Sequence, residues 1–255
     1  MFSRSTDGGN TFTLPVTVEK HDIKYCSLTG DSNGNLYIAY LKDEKRLSVK
    51  KSTDGGKFWG KEISNLDFVP SGIKNENQYV IKNSDKKGIR VNSEPSLSIS
   101  ESNDLLITFS ASGRSNDLSD IYFAKLEKNS NLLTIPIKVN SDVTNNDQFF
   151  PSLTSDKSGN IFIMYQDSRN DINNIKTETY ISYSNDGGLT FSDEKFSTAG
   201  FDPLSIAVDR YISDYNSCVI SNGNIVGVWT DGRNNNFDIY AGILNLTDFF
   251  ENTSR

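Results

Sequence analysis

Three arginines recur in matching surroundings: Arg114 in SASGRSNDLSDIY (110–122), Arg169 in QDSRNDINN (166–174) and Arg233 in TDGRNNNFDIY (230–240). A guanidinium carries a rigid fork of donors that meets a carboxylate in two parallel hydrogen bonds. Two uses are open to this set. The arginines can grip a carboxylate-bearing ligand, with Arg210 as a fourth candidate. Alternatively, each can pin its own loop through a neighbouring acid: Asp117 or Asp120, then Asp171, then Asp238. Copying at one place in successive segments favours the internal salt bridge. The same Asn/Asp-rich runs, 167–174 and 231–238, offer the oxygen ligands that Ca²⁺ takes, but without EF-hand spacing they read as solvated turns. No metal site or cofactor is predicted. His21 is the only histidine, and Cys26 and Cys218 are too far apart to suggest a disulfide framework or a thiolate-ligated ion.

The elements that must position these residues are short and repeated. A polar turn recurs as DSNGN (31–35), ESND (101–104), DKSGN (156–160) and SNGN (221–224), each with a short apolar or alternating run on either side. Asn-Gly between such runs is a strong hairpin signal. The runs that follow are LYIAY (36–40), LLITFS (105–110), IFIMYQD (161–167) and IVGVWTD (225–231), and a third set comprises RLSVKKS (46–52), DIYFAKLE (120–127), TYISYS (179–184) and DIYAGILNL (238–246). Fourth runs follow at KEIS (61–64) and EKFST (194–198). No segment carries a 3.6-residue apolar period over two turns. The unit is therefore four antiparallel strands, A to D, stretched in places by insertions such as 65–88. Units of this kind, repeated along a chain, predict an all-β propeller, because one four-stranded sheet cannot bury both faces alone and radial stacking covers them. The expected units are 1–20 (partial), 21–65, 89–142, 147–199 and 211–250, a single domain over 1–255 of about four and a half blades.

A second phrase recurs at the turn between the third and fourth strands: SRSTDGGNTF (3–12), KSTDGGKFW (51–59) and YSNDGGLTF (183–191). Its aspartate can accept hydrogen bonds from its own turn, its glycine permits positive φ, and its aromatic can wedge between sheets. This phrase resembles the Asp box, or BNR repeat, of sialidase-like β-propellers. The matching residues are Ser5, Asp7, Gly9, Thr11 and Phe12; Ser52, Asp54, Gly56 and Trp59; and Ser184, Asp186, Gly188, Thr190 and Phe191. The second copy departs by carrying Phe58 where threonine is usual. The role expected of all three is to fasten the fold.

The resemblance implies further things. Propellers of this family usually have six blades, so a small ring or a part of one is expected, incomplete at its N-terminal side and with an open edge that invites self-association. Strand direction places the Asp-Gly-Gly turns on one side of the disc and any site on the other. In sialidases three arginines hold a substrate carboxylate and a late tyrosine is the nucleophile. Tyr215, in DRYISDYNSCVISNGN (209–224), stands at a similar distance before Gly223 and is the candidate here. Such a tyrosine needs a carboxylate beside it and a separate acid for the leaving group. Asp209, Asp214 and Glu178 are near in sequence or in the adjacent repeat, but none matches a family motif. The Arg-Ile-Pro motif that opens sialidases has no counterpart within residues 1–255.

Bulk composition limits the partners. The formal charge is −7 with no block of Lys or Arg, which argues against a nucleic-acid groove. No apolar run is long enough for a membrane-crossing helix, and membrane insertion is not expected. The function expected is that of an extracellular or cell-surface propeller that binds glycans or surface proteins without catalysis. The alternative is a sialidase-type glycoside hydrolase that retains configuration.

Overall fold

A computed structural model describes residues 1–84, 87–113, 117–206 and 210–253. Among the described residues the chain is all-β except for a 3-10 turn (Pro203–Ser205) and one short helix near its C-terminal end. The first full sheet holds β1 (Ile23–Gly30), β2 (Leu36–Lys42), β3 (Arg46–Ser52) and β4 (Glu62–Asp67) in that order. A small sheet of β5 (Ile73–Asn75), β6 (Gln78–Ser84) and β7 (Lys87–Val91) follows. The second large sheet contains β8 (Ser96–Ile99), β9 (Leu105–Ala111), β10 (Asp120–Leu126) and β11 (Ile137–Lys138). The third contains β12 (Gln148–Ser155), β13 (Ile161–Asp167), β14 (Glu178–Ser184) and β15 (Ser192–Lys195). The last has three strands, β16 (Ser217–Ser221), β17 (Asn224–Asp231) and β18 (Asp238–Asn245), and leads into α1 (Leu246–Thr253). All pairings are antiparallel hairpins between consecutive strands, as in propeller blades. The sheets do not close a ring.

Sheet stacking follows from side-chain alternation. In β9 every residue is buried. Leu105, Ile107 and Phe109 face the first sheet, packing with Leu41, Leu47 and Val49. Leu106 faces the other way, with Ile121 and Phe123, against Leu153, Ile161 and Ile163 of the third sheet. The third sheet repeats the arrangement, turning Phe162 and Met164 towards Ile225 and Trp229 of the last. A second strand covered on both sides buries both of its faces, which is why β9 and β13 are largely apolar without alternating. The first strands touch one another from sheet to sheet and so line the axis. Leu153 N–H donates to Ser96 Oγ (3.0 Å), and Cys218 N–H donates to Ser152 Oγ (3.0 Å), in the same place one sheet further on.

The Asp-Gly-Gly turns close through their own side chains. The Asp186 carboxylate accepts from the N–H groups of Leu189 (2.9 Å) and Thr190 (3.0 Å) and from the hydroxyls of Ser184 (2.7 Å) and Thr190 (2.6 Å). Asp7 accepts from Thr11 N–H (3.0 Å) and from the hydroxyls of Ser5 and Thr11 (both 2.6 Å). Asp54 accepts from Phe58 N–H (3.0 Å) and Ser52 Oγ (2.8 Å). In the third turn, burial acts to raise the Asp186 carboxyl, but the bonds from Thr190 and Ser184 outweigh it and hold the group below its ordinary value. The second glycine of the phrase also meets the preceding blade. Gly188 (φ +86°) lies so close to Phe123 that a Cβ would come within 2.3 Å of its ring, and Gly56 (φ +84°) does the same to Phe2 at 2.1 Å. The aromatics Phe191 and Trp59 pack on those same rings, with centroids 5.5 and 5.3 Å apart.

Four expectations change. Phe12 does not wedge between sheets: it is 67% exposed, because no sheet of this chain lies against the first turn. Residues 1–20 hold a single bridge, Phe2 to Val16, rather than two full strands. The segment read as an insertion is itself a sheet, β5–β7, whose Ile81, Ile89 and Val91 pack on Phe149 and Phe150. The tail after β18 is helical, and its Phe249 packs on Tyr183 (4.9 Å). The outward face of the last sheet is open, leaving Ile239 82% and Ile243 72% exposed.

The turn geometry predicts a graded mutation series. Gly188→Ala should cost about 2–4 kcal/mol, combining positive-φ strain with overpacking against Phe123. Gly9→Ala, with no atom within 4 Å of the new Cβ, should show only the strain. Asp186→Ala should cost about 1–3 kcal/mol for the lost turn bonds. Because the folded carboxyl is depressed, that deficit is present above the unfolded aspartate value, ~4, and shrinks as pH falls below it. Urea unfolding at several pH values checks all three.

Candidate functional site

A cavity of about 140 Å³ lies on the axis, on the side of the disc opposite the Asp-Gly-Gly turns. It is lined by Ser27 of β1, by Asn92, Glu94 and Ser96 at the start of β8, by Phe150 and Pro151 in β12, and by Asp214, Tyr215 and Asn216 just before β16. The repeat explains the convergence. Ser27, Ser96 and Ser152 hold one position in successive first strands, and a break in register precedes Ser27 and Ser152 alike. Two residues earlier stand Tyr25, Glu94 and Phe150. Tyr25 and Phe150 share a left-handed backbone (φ 53° and 56°). Cys218 bonds Ser152 as Leu153 bonds Ser96, which puts Tyr215 in the same slot of the last sheet. One position of the repeat is thus occupied by three aromatics and one carboxylic acid.

The chemistry of the cavity centres on two acids. Burial, and after it the neighbouring Asp214 carboxylate, push the Glu94 carboxyl above its ordinary value. Asp214 is paired with Arg90 of β7, and Asn92 Nδ2 lies 3.5 Å from its second oxygen. Arg90 also stacks on the Tyr211 ring at 5.0 Å, and its N–H donates to the Arg210 carbonyl (2.8 Å). The small sheet therefore carries Arg90 and Asn92 to the rim of the cavity. Tyr215 is 79% exposed, and among the described residues no carboxylate bonds its hydroxyl. An activated nucleophile needs such a base.

Arg169 and Arg233 do not reach the cavity. Arg169 is held by Asp167 (2.6 Å) at the end of β13 and by Asp193 (2.8 Å), and it lies over the Tyr180 ring at 4.3 Å. Arg233 is held by Asp231 (2.6 Å) at the end of β17, donates to Thr198 (2.8 Å) and lies over Tyr240, again at 4.3 Å. The acids are the last residues of the second strands, not Asp171 or Asp238. Asp171 instead accepts from Ile175 and Lys176 N–H within its own turn, and Asp238 accepts from Asn236. Arg114 and Asp209 lie outside the described residues. Arg210 is described and has interactions of its own. Glu178 pairs with Lys195 (2.5 Å), away from the axis. No cluster of His, Cys, Asp or Glu among the described residues suits a metal ion, and no described helix is long and apolar enough to cross a membrane.

No protein-family profile and no curated protein sequence matches this chain. Solved structures do. A Hadza microbial sialidase, Hz136, superposes with a TM-score of 0.54 at 12% identity over 86% of this chain and 44% of its own. The GH93 α-L-arabinofuranosidase of Fusarium graminearum, in complex with arabinobiose, gives 0.52 at 16% identity over 87% and 62%. The Trypanosoma rangeli sialidase gives 0.50 at 13% over 88% and 36%. The chain thus spans roughly two fifths to three fifths of the length of these proteins. Its fold is that of the sialidase-like β-propellers, represented in this chain by about four and a half blades of an open ring.

Proposed function

We propose that the axial cavity is a carbohydrate site of glycoside-hydrolase type, with Glu94 as the proton donor. The observation that carries this reading is the contrast between the two cavity acids. Glu94 is half-buried and raised, while Asp214 is ion-paired with Arg90. A carboxyl that holds its proton more tightly than usual, beside one committed to an ion pair, suits glycosidic cleavage. The first gives its proton to the leaving oxygen, and the second faces the positive charge that develops on the sugar ring. Tyr215 offers the ring a stacking wall. The substrate favoured is an uncharged glycan. Arg169 and Arg233 are engaged in their own blades, and Arg90 is neutralised by Asp214, which argues against a sialoside gripped by arginines. The propeller likeness to an arabinofuranosidase and to sialidases supports a glycan partner in general.

A second reading is glycan binding without turnover, on a free glycan or a glycan-bearing surface protein. It is favoured by the commitment of Asp214 to Arg90. Both readings place the protein outside the cell or on its surface, where such ligands are met. The exposed Ile239 and Ile243 support association of copies through the last sheet.

Fluorogenic neutral glycosides, furanosides included, should be turned over. Glu94→Gln should lower kcat by about 10²–10⁴-fold with KM little changed. Binding to a glycan array with no turnover would select the second reading. Turnover of sialosides alone would overturn the neutral-substrate assignment. Stability offers an independent check. A carboxyl raised in the folded state destabilises that state as pH climbs from the unfolded value, ~4, through the folded one. Glu94→Gln should therefore stabilise the fold at pH 7 and not below pH ~4, measured by urea unfolding. Sedimentation should depend on protein concentration, and Ile243→Lys should remove that dependence.

A further inference from the structure

The small sheet meets the loop after β13 through a cluster that the cavity chemistry does not use. Lys82 of β6 is only 5% exposed, Ser168 1%, and Asp147 fully buried. The lysine Nζ touches Ser168 Oγ and stands 3.2 Å from the Asn174 carbonyl oxygen, 3.5 Å from Asn174 Oδ1 and 5.4 Å from the centre of the Phe149 ring. On its other side the Asn174 amide meets Asp147. Its Oδ1 accepts from Asp147 N–H (2.9 Å) and its Nδ2 donates to Asp147 Oδ2 (2.8 Å). The other Asp147 oxygen, Oδ1, is buried without a hydrogen-bond partner. A side-chain amide is thus clamped between an amine and a carboxyl in a site shielded from water. Lys82 and Asn174 both hold left-handed backbone conformations (φ 56° and 53°), which non-glycine residues adopt at a cost.

We propose that Lys82 and Asn174 join autocatalytically in an isopeptide bond, with Asp147 as the proton shuttle. The Lys82 ammonium first releases a proton and the Asp147 carboxylate takes one up. The freed Nζ lone pair attacks Asn174 Cγ, and the carbonyl pair moves onto Oδ1, where Asp147 N–H receives it. On collapse of this intermediate the C–Nδ2 bond breaks. Nδ2 takes the proton from the Asp147 carboxyl and leaves as ammonia. The new amide nitrogen returns its surplus proton to Asp147. Lysine amine and asparagine amide become one secondary amide plus ammonia, and no oxidant or cofactor enters. The environment favours the neutral partners the first step requires. Burial lowers the Lys82 amine to about 8 and raises the Asp147 carboxyl. Asp167, Asp171 and Asp202 also bear on the amine and hold it higher than burial alone would. Nζ stands 3.5 Å from Oδ1, the oxygen bonded to the Cγ it would attack, and the approach to that carbon must close to roughly 3–3.5 Å.

The bond would staple the small sheet to the third blade across 92 residues of sequence and so hold Arg90 and Asn92 at the cavity rim. Intact mass spectrometry of the folded, then denatured, protein tests it. The expected mass is one ammonia below that of the sequence, and a tryptic digest should yield a branched peptide joining the Lys82 and Asn174 segments. Lys82→Arg, Asn174→Ala and Asp147→Asn should each restore the unreacted mass. A full sequence mass in the wild type, with trypsin cutting after Lys82, overturns the proposal. So does an ammonia loss that persists in Lys82→Arg, which would be cyclisation at asparagine instead. If a variant does not fold, the wild-type mass and the fragmentation of the branched peptide decide alone.

Discussion

The contact between the face of one sheet and the face of the next governs this structure. A four-stranded sheet has two faces, and here the second strands are apolar on both. Leu105, Ile107 and Phe109 need the first sheet as much as Leu106 needs the third. Burying one such side chain is worth about 1.5–3 kcal/mol, and each interface gathers many. The Asp-Gly-Gly turns serve that contact. Their carboxylates fix the backbone so that a glycine can slide under the aromatic ring of the preceding blade, at Phe123 and at Phe2. In the first turn the carboxylate bonds still form, but Phe12 is exposed. The hydrogen bonds are local, and the wedge is a property of the neighbour.

Most of the architecture was legible because its causes are local. Apolar runs at 36–40, 105–110, 161–167 and 225–231 became β2, β9, β13 and β17; the first three are covered on both faces and do not alternate in burial, while β17 does, its outer face being open. Turn chemistry marked the hairpins for the same reason. The small sheet was hidden by the repeat itself. QYVIKNS and KGIRV alternate well enough, but they fall between two units of the period and so read as an insertion. The partners of Arg169 and Arg233 were misassigned because the nearest acids downstream, Asp171 and Asp238, serve their own turns. The acids that count end the strand before the loop, where the pleat aims them back at the guanidinium.

The site was harder to read, since it is assembled from four first strands far apart in sequence. Glu94 carries no motif. The signal was present only as a mismatch in alignment of the repeats: Tyr25, Phe150 and Tyr215 are aromatic where Glu94 is acidic. Arg90 and Asn92 gave no signal at all, because their place depends on how β7 leaves the small sheet. The cluster around Lys82 is equally silent in sequence, with its members at 82, 147, 168 and 174. What unites the two is the small sheet, one end of which reaches the axis while the other is buried against Phe149 and Phe150.

The hydroxyls of Ser96 and Ser152 have a wider consequence. Each receives the N–H of the following first strand in the same way, although the strands that follow differ in sequence. A seam that is indifferent to its neighbour lets vanes be duplicated or lost by simple genetic events without inventing new chemistry at the hub. Ring size in such a lineage can then drift while the hub keeps its form.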